Sequence, residues 1–354
     1  MRVIIFSITA LIVGALTWSL SHSIPLTGQL ADLKPLLVNQ CRAIDIAPGT
    51  EDITFAPELG VAFISAADRR AWYNETNQTD TNPANGIYTL SLDGSDTVTK
   101  VSPDMGDFLP HGIYLWRGDG DAMRLFVVNH PPSGEELIEI FEVGDGGALT
   151  HLESVSFPAM HSPNDVVAVG PRQFYATNDR GYDKGLLATI EAYMALPFSS
   201  IVYFDGDQGR LIKKGMTYAN GINKSSDNGT IYVAEVLKRR VAAFDRDIQD
   251  NTLSSPRYFK AGTAPDNIEV DKQGRLWIGG HSKIFEFTAH ADDPSAIAPS
   301  HVTRIDTVTG ETKDIFISLD GEINGSSVGA AHDGLLLVGA VFDGHVMACP
   351  TDDA

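Results

Sequence analysis

The sequence predicts an all-β fold, a six-bladed β-propeller closed on itself, on the strength of three observations. A polar tip that opens an apolar run recurs six times, at Glu51-Asp52, Pro110-His111-Gly112, Asn164-Asp165, Asn220-Gly221, Asp266-Asn267 and Asn324-Gly325. From Glu51 through His111, Asn164, Asn220 and Asp266 to Asn324 the steps are 60, 53, 56, 46 and 58 residues, about the length of one four-stranded blade. Each step holds further short alternating segments punctuated by Gly, Asp and Asn, as hairpins require. The sixth repeat lacks one strand, and a segment near the start of the chain supplies it.

Taken in order, residues 1–23 read as a signal peptide or a retained hydrophobic anchor. Arg2 precedes an apolar run from Val3 to Leu16, followed by small residues at Ser19, Ser21 and Ser23, and the run is short for a spanning helix. Residues 24–354 are expected to be a single propeller domain, irregular or amphipathic over 23–39 and strand-like over 41–46. Second strands are expected at 60–65, 124–129, 173–177, 230–234, 275–279 and 335–339. Third strands follow at 86–92, 137–143, 200–204, 240–244, 283–287 and 345–349, and fourth strands at 100–101, 151–157, 210–215, 257–260 and 312–317. The sixth repeat shows only three strands, and 41–46 would complete it. That pairing sets Cys41 beside Cys349, the two cysteines of the chain, and a disulfide between them closes the ring.

Two insertions break the rhythm. Residues 68–84 form a long polar loop carrying Trp72 and Tyr73. Residues 182–197 read as a helix, with Leu186, Leu187, Ile190, Tyr193 and Met194 at helical spacing. Insertions of this length act as lids or binding loops, or simply pack on the ring.

A hydrophobic content of 43% supplies an ample core, and a formal charge of −20 argues against a nucleic-acid partner. Sequons at Asn74, Asn77 and Asn228 fit a glycosylated secretory protein. Those at Asn223 and Asn324 lie too near the tips to suit a glycan.

Inner strands of a propeller line one channel, so residues at matching positions face one axis. Glu51, Asp52, Asn164, Asp165, Asn220, Asp266 and Asn267 then form a ring of hard oxygen donors. Calcium takes six to eight such oxygens, whereas zinc wants His or thiolate ligands, of which the tips offer too few. Any one tip alone is an ordinary turn; six in register are a pattern. His111 sits in a tip, His130 ends the next strand, and His281 is a third histidine for the pocket wall. A single histidine is more often a core or surface residue, but a pair near an oxygen-rich mouth suits hydrolysis, with a cation polarising a carbonyl and a base activating water. No Gly-x-Ser-x-Gly elbow, zinc-protease helix, phosphate loop or dinucleotide fingerprint is present.

These motifs resemble the paraoxonase/arylesterase family. The match includes Glu51-Asp52, Phe108-Leu109-Pro110-His111-Gly112-Ile113, Val127-Val128-Asn129-His130-Pro131, Pro163-Asn164-Asp165-Val166, Thr177-Asn178-Asp179, Ala219-Asn220-Gly221-Ile222-Asn223, Asp266-Asn267-Ile268 and the terminal cysteines. The resemblance implies two calcium ions, one catalytic at Glu51, Asn164, Asn220, Asp266 and Asn267, one structural at Asp52, Asp165 and the Ile113 carbonyl. It implies a His111–His130 dyad that activates water, lactones as substrates with aryl esters and organophosphates as side substrates, and an N-terminal segment able to anchor to lipid. Trp72, Tyr73, Arg180, Tyr218 and His281 are expected to wall the pocket. Arg180 stands where the family has a histidine, Gly280 where vertebrate members have a free cysteine, and the loop around Trp72 diverges, all of which bears on substrate range. Rival readings are a single-metal propeller of the sugar-lactonase kind and a calcium-stabilised binding propeller without catalysis. Within the first reading, Asp266 or Glu51 is an alternative base or nucleophile.

Overall fold

The computed structural model describes residues 24–73, 82–182 and 185–352, with Gly14, Thr17 and Ser21, and excludes the side chains of Trp72 and Tyr73. The leader (but for those three residues) and the sequons Asn74 and Asn77 therefore lie outside the described residues. Six antiparallel four-stranded sheets form the blades. Their innermost strands are Thr50–Ala56, Pro110–Arg117, Pro163–Ala168, Ala219–Lys224, Ala264–Val270 and Ser326–His332. Each touches the next, and the last touches the first, so the ring closes.

Closure uses the two ends of the chain as expected. The sixth blade runs outward from Ser326–His332 through Leu335–Ala340 and His345–Pro350 to Arg42–Asp45. Arg42 lies opposite Ala348, and Cys41 is disulfide-bonded to Cys349 across a sequence separation of 308. On the chain-entropy model a loop of that size stabilises the fold by roughly 5 kcal/mol, by restricting the unfolded chain.

The core lies between blades rather than along the axis. Phe126 and Val128 of the second blade pack against Val166, Phe174 and Val202 of the third. The closing interface is built the same way, with Leu337, Val346 and Ile44 of the sixth blade against Ile53, Phe55 and Ile64 of the first. A strand with apolar neighbours on both faces has no solvent side. Val61–Ala66 is accordingly buried at every position, and such strands read in sequence as unbroken apolar runs.

Two expectations are corrected. Residues 283–287 are not a strand; they lead into the helix Ile284–Asp292, and the third strand of the fifth blade is Ser300–Ile305, paired with Leu276–His281. Ile284, Phe285 and Phe287 make a short apolar-rich run like a strand, but the segment continues as Thr288-Ala289-His290-Ala291, which helix tolerates and a blade strand does not favour. The fifth blade thus carries a third insertion. The sixth tip is also displaced. Asn324 lies in the turn before the strand, where its side-chain oxygen accepts from the Ala298 amide and its own N–H donates to Asp343, while Gly325 takes a φ of 61°. The other two insertions contain the helices Arg69–Tyr73 and Leu186–Met194.

Candidate active site and metal centre

All six inner strands slip register against their neighbours at one end. The shifts fall between Thr50 and Asp52, Pro110 and Ile113, Pro163 and Val166, Ala219 and Ile222, Pro265 and Ile268, and Ser326 and Val328. A bulge frees residues from the ladder and re-aims their side chains. The freed residues are Glu51, His111-Gly112, Asn164-Asp165, Asn220-Gly221, Asp266-Asn267 and Ser327. Glycine is required at two of them by close approach: a Cβ on Gly112 would collide with Asp165, and one on Gly221 with the Asp266 carbonyl.

The tips meet across blades. Asn267 Nδ2 donates to Glu51 Oε1 at 2.7 Å, Ser327 Oγ donates to the Glu51 carbonyl at 2.5 Å, and His111 Nε2 lies 3.5 Å from Glu51 Oε1. Deeper, Asp52 Oδ2 accepts from the Ile113 amide and Asp165 Oδ2 from the Ile222 amide, both at 2.7 Å. These two carboxylates staple the first blade to the second and the third to the fourth. Each oxygen retains further acceptor capacity.

His111 Nδ1 lies 2.9 Å from His130 Nε2, and His130 Nδ1 lies 2.5 Å from Glu136 Oε2. The carboxylate end of this chain makes Nδ1 of His130 a donor; with His130 Nε2 then accepting from His111 Nδ1, the lone pair of His111 stays on Nε2, on the Glu51 side. Burial pushes the His111 pKa below its usual value, against the pull of Glu51. Burial alone would raise Glu51, but the charges of His111 and Arg69 and the Asn267 hydrogen bond outweigh it and hold the carboxyl at about 2. Asp52 and Asp165 are pushed well up by burial and then by neighbouring carboxylates, Glu51 for Asp52 and Asp52 for Asp165. Burial also raises Asp266, opposed by His281, whose Nε2 lies 2.9 Å from Asp266 Oδ2.

Four buried side-chain oxygens in this set have no hydrogen-bond partner: Glu51 Oε2, Asn164 Oδ1, Asn220 Oδ1 and Asn267 Oδ1. A buried acceptor left unsatisfied costs about 1–3 kcal/mol, so four together call for a ligand that takes lone pairs. Among the described residues no group of three or more His, Cys, Asp or Glu side chains is arranged to hold a metal. The donors here are mostly carboxamides, which suit a hard, oxygen-seeking cation and not zinc. The residues fit calcium.

The pocket residues divide. His281 faces Asp266, as described. Arg180 turns onto its neighbour, its Nε and terminal nitrogen 2.9 and 2.8 Å from the Asp179 oxygens, with Asp179 also bonded to Ser162. Tyr218 adjoins the fourth tip with a left-handed φ of 51°. Trp72 and Tyr73 belong to the helix Arg69–Tyr73. Asn228 occupies a left-handed turn, whereas Asn223 is buried with its amide on the Ile268 carbonyl, which suits no glycan. Several residues escaped sequence reasoning. Glu136 lies in a polar hairpin like any other. Arg69, inside a charged run, donates to the Gly49 and Pro110 carbonyls at 2.8 and 2.5 Å and so ties two tips together. Ser327 was hidden by the more conspicuous Asn324-Gly325, and Phe287 and Phe342 by the misread fifth blade and the last loop.

A sequence-family model described as Arylesterase matches residues 32–349. Serum paraoxonase/arylesterase 1 of Homo sapiens is 30% identical over 325 residues, covering 88% of this chain and 89% of its own. Serum paraoxonase/arylesterase 2 of Gallus gallus is 32% identical with the same coverage of each chain. Among solved structures, a protein described as a putative gluconolactonase superposes with a TM-score of 0.55 at 14% identity, over 90% of this chain and 94% of that one. A calcium-binding protein, regucalcin, from Agrobacterium tumefaciens gives 0.52 at 17% identity, over 90% and 95%. At such identities these two structures speak to the fold alone.

Proposed function

This chain belongs to the arylesterase family and is an ester or lactone hydrolase, and from that premise we propose that its chemistry is calcium-dependent and uses the His111–His130 pair. Glu51, Asn164, Asn220, Asp266 and Asn267 would hold the catalytic ion; Asp52, Asp165 and the Ile113 carbonyl would hold a second, structural one. When bound, the catalytic ion supplies Lewis-acid stabilisation of the oxyanion that develops on a lactone or ester carbonyl. His111 accepts the proton of the attacking water at Nε2. His130 takes the hydrogen bond from His111 Nδ1 and holds that tautomer. Glu136 orients His130 and stabilises positive charge as it spreads along the pair. The observation that supports this reading most strongly is the four partnerless buried oxygens on the tips, one of them on Glu51, whose other oxygen lies 3.5 Å from His111 Nε2.

The test is hydrolysis of a panel of aliphatic lactones, phenyl acetate and an aryl phosphate triester, before and after chelation, with bound calcium counted per chain. Turnover that disappears on chelation and returns with calcium, at two ions per chain, is the expected result. One ion per chain would move the assignment to a single-metal lactonase. Calcium that raises the melting temperature with no turnover on any substrate would make the chain a binding propeller.

Secretion is part of the proposal, supported by the disulfide, and lipid attachment is a second property. The helix Leu186–Met194 leaves Leu186 75% and Tyr193 73% exposed, with Leu187 and Ile190 beside them, an apolar face of the kind that lies in a membrane interface. No helix among the described residues is long and apolar enough to cross a membrane. Co-flotation with phosphatidylcholine vesicles is expected, and is expected to be lost in Leu187→Glu/Tyr193→Glu; equal flotation of the two proteins would remove this helix as the contact.

A further inference from the structure

Insertions from three blades meet beside the fifth tip: the helix Arg69–Tyr73 of the first, the helix Ile284–Asp292 of the fifth, and the loop at 341–344 of the sixth. The two adjacent arginines of the first helix go separate ways. Arg69 ties the tips, as above. Arg70 reaches the end of the fifth-blade helix, where it donates to the His290 carbonyl at 2.9 Å and the Ala291 carbonyl at 3.4 Å. Carbonyls in the last helical turn lack intrahelical partners, and a cation there is favoured. The same guanidinium lies 3.1 Å from His290 Nε2, while His290 Nδ1 lies 2.6 Å from the Ala296 carbonyl. Asp343 Oδ1 lies 3.3 Å from the same Nε2, so this nearly inaccessible ring is held between Arg70, Asp343 and the Ala296 carbonyl.

From Arg70 a continuous stack runs to the ligand set. Its guanidinium carbon is 4.9 Å from the centre of the Phe342 ring. Phe342 stacks on Phe287 at 5.8 Å, and Phe287 on His281 at 3.7 Å with the rings 19° apart. His281 in turn holds Asp266. There is little slack, because Gly325, at its left-handed φ, would place a Cβ 2.9 Å from Phe287. The loop that carries Phe342 also steadies the first tip, since the Asp343 carbonyl accepts from the amides of Gly49 and Thr50 at 3.1 and 3.3 Å.

The geometry points to Arg70 as a positioning residue that fixes the Phe287–Phe342 wall and thereby sets which apolar groups on a lactone or ester the mouth accepts. The inference rests on the hydrolase reading above. Arg70 does not touch the reacting atoms; it acts by capping the fifth-blade helix and backing Phe342. Packing of this kind discriminates substrates by roughly 10-fold or more per group mispositioned.

The experiment compares the calcium-loaded wild type with Arg70→Met and Arg70→Lys, by steady-state kinetics on a short and a long-chain lactone and by amide exchange. Arg70→Met is expected to raise KM for the long-chain lactone by about 5- to 10-fold, with a smaller fall in kcat and a smaller effect on the short lactone. Exchange of the amides at 287–293 is expected to quicken at least about tenfold without a matching loss in the rest of the ring. Arg70→Lys keeps a donor for the carbonyls but not the flat stacking surface, so it should recover the helix protection and only part of the selectivity. Unchanged exchange in Arg70→Met would overturn the positioning role whatever the kinetics. Faster exchange with unchanged chain-length preference would overturn the selectivity role. A wild type that turns over no lactone or ester would instead sink the hydrolase reading, and the selectivity claim with it, while exchange still decides whether Arg70 holds the helix.

Discussion

Replacing His111 by Gln is expected to lower kcat for a lactone by about 100-fold or more, the range lost when a positioned general base is removed. Glutamine fills similar space and can still donate to His130 Nε2, so the tip should keep its shape. It offers no basic nitrogen to the attacking water. Calcium affinity, read from the dependence of melting temperature on calcium, should stay within a few-fold of wild type, because His111 is not among the proposed ligands. The relay gives a graded control. Glu136→Gln removes the carboxylate 2.5 Å behind His130 and should cost about tenfold, since a group that orients a base contributes less than the base. An unchanged rate in His111→Gln would hand the proton to an acidic ligand, Asp266 or Glu51, and leave the relay structural.

Glu51→Gln carries the second large effect, and it falls on the metal. Glu51 is almost wholly buried, has one oxygen on Asn267 and the other without a partner, and is kept ionised by its surroundings. Removing its charge from a set otherwise composed of Asp266 and three carboxamides should weaken calcium binding on the order of 100-fold, because affinity in such sites follows the charge and number of oxygen ligands. Turnover should then recover at raised calcium, at least in part. Isothermal titration and a calcium-activation curve read this directly. Unaltered affinity would show that Glu51 belongs to the chemistry or to the tip packing rather than to the ion.

Much of the architecture was legible because it is local and repeated. Turn residues before an apolar run mark an inner strand wherever they occur, and six of them at regular spacing report the number of blades. The strand missing from the sixth repeat pointed to Arg42–Asp45 and so to the Cys41–Cys349 bond. The oxygen-rich tips and the two histidines stood out for the same reason: their residue types are unusual at positions that recur.

What a short window cannot weigh is which competing local form survives. The apolar run at 284–287 looks like a strand until the helix that contains it is seen to dock on Phe342 and Arg70. Asn324-Gly325 looks like a tip until ring closure puts Ser327 on the Glu51 carbonyl. Glu136 behind His130, Arg69 between two tips and Arg70 beneath the fifth-blade helix are single side chains whose partners lie in other strands or other blades. By itself the sequence determined the blade count, the mode of closure and the candidate oxygen and histidine donors, since each is carried by periodicity and residue type. Only the tertiary structure decided the aim of those donors, the chain from His111 through His130 to Glu136 and the aromatic stack from Arg70 to His281, since bulges and docked insertions bring together groups that no local pattern relates.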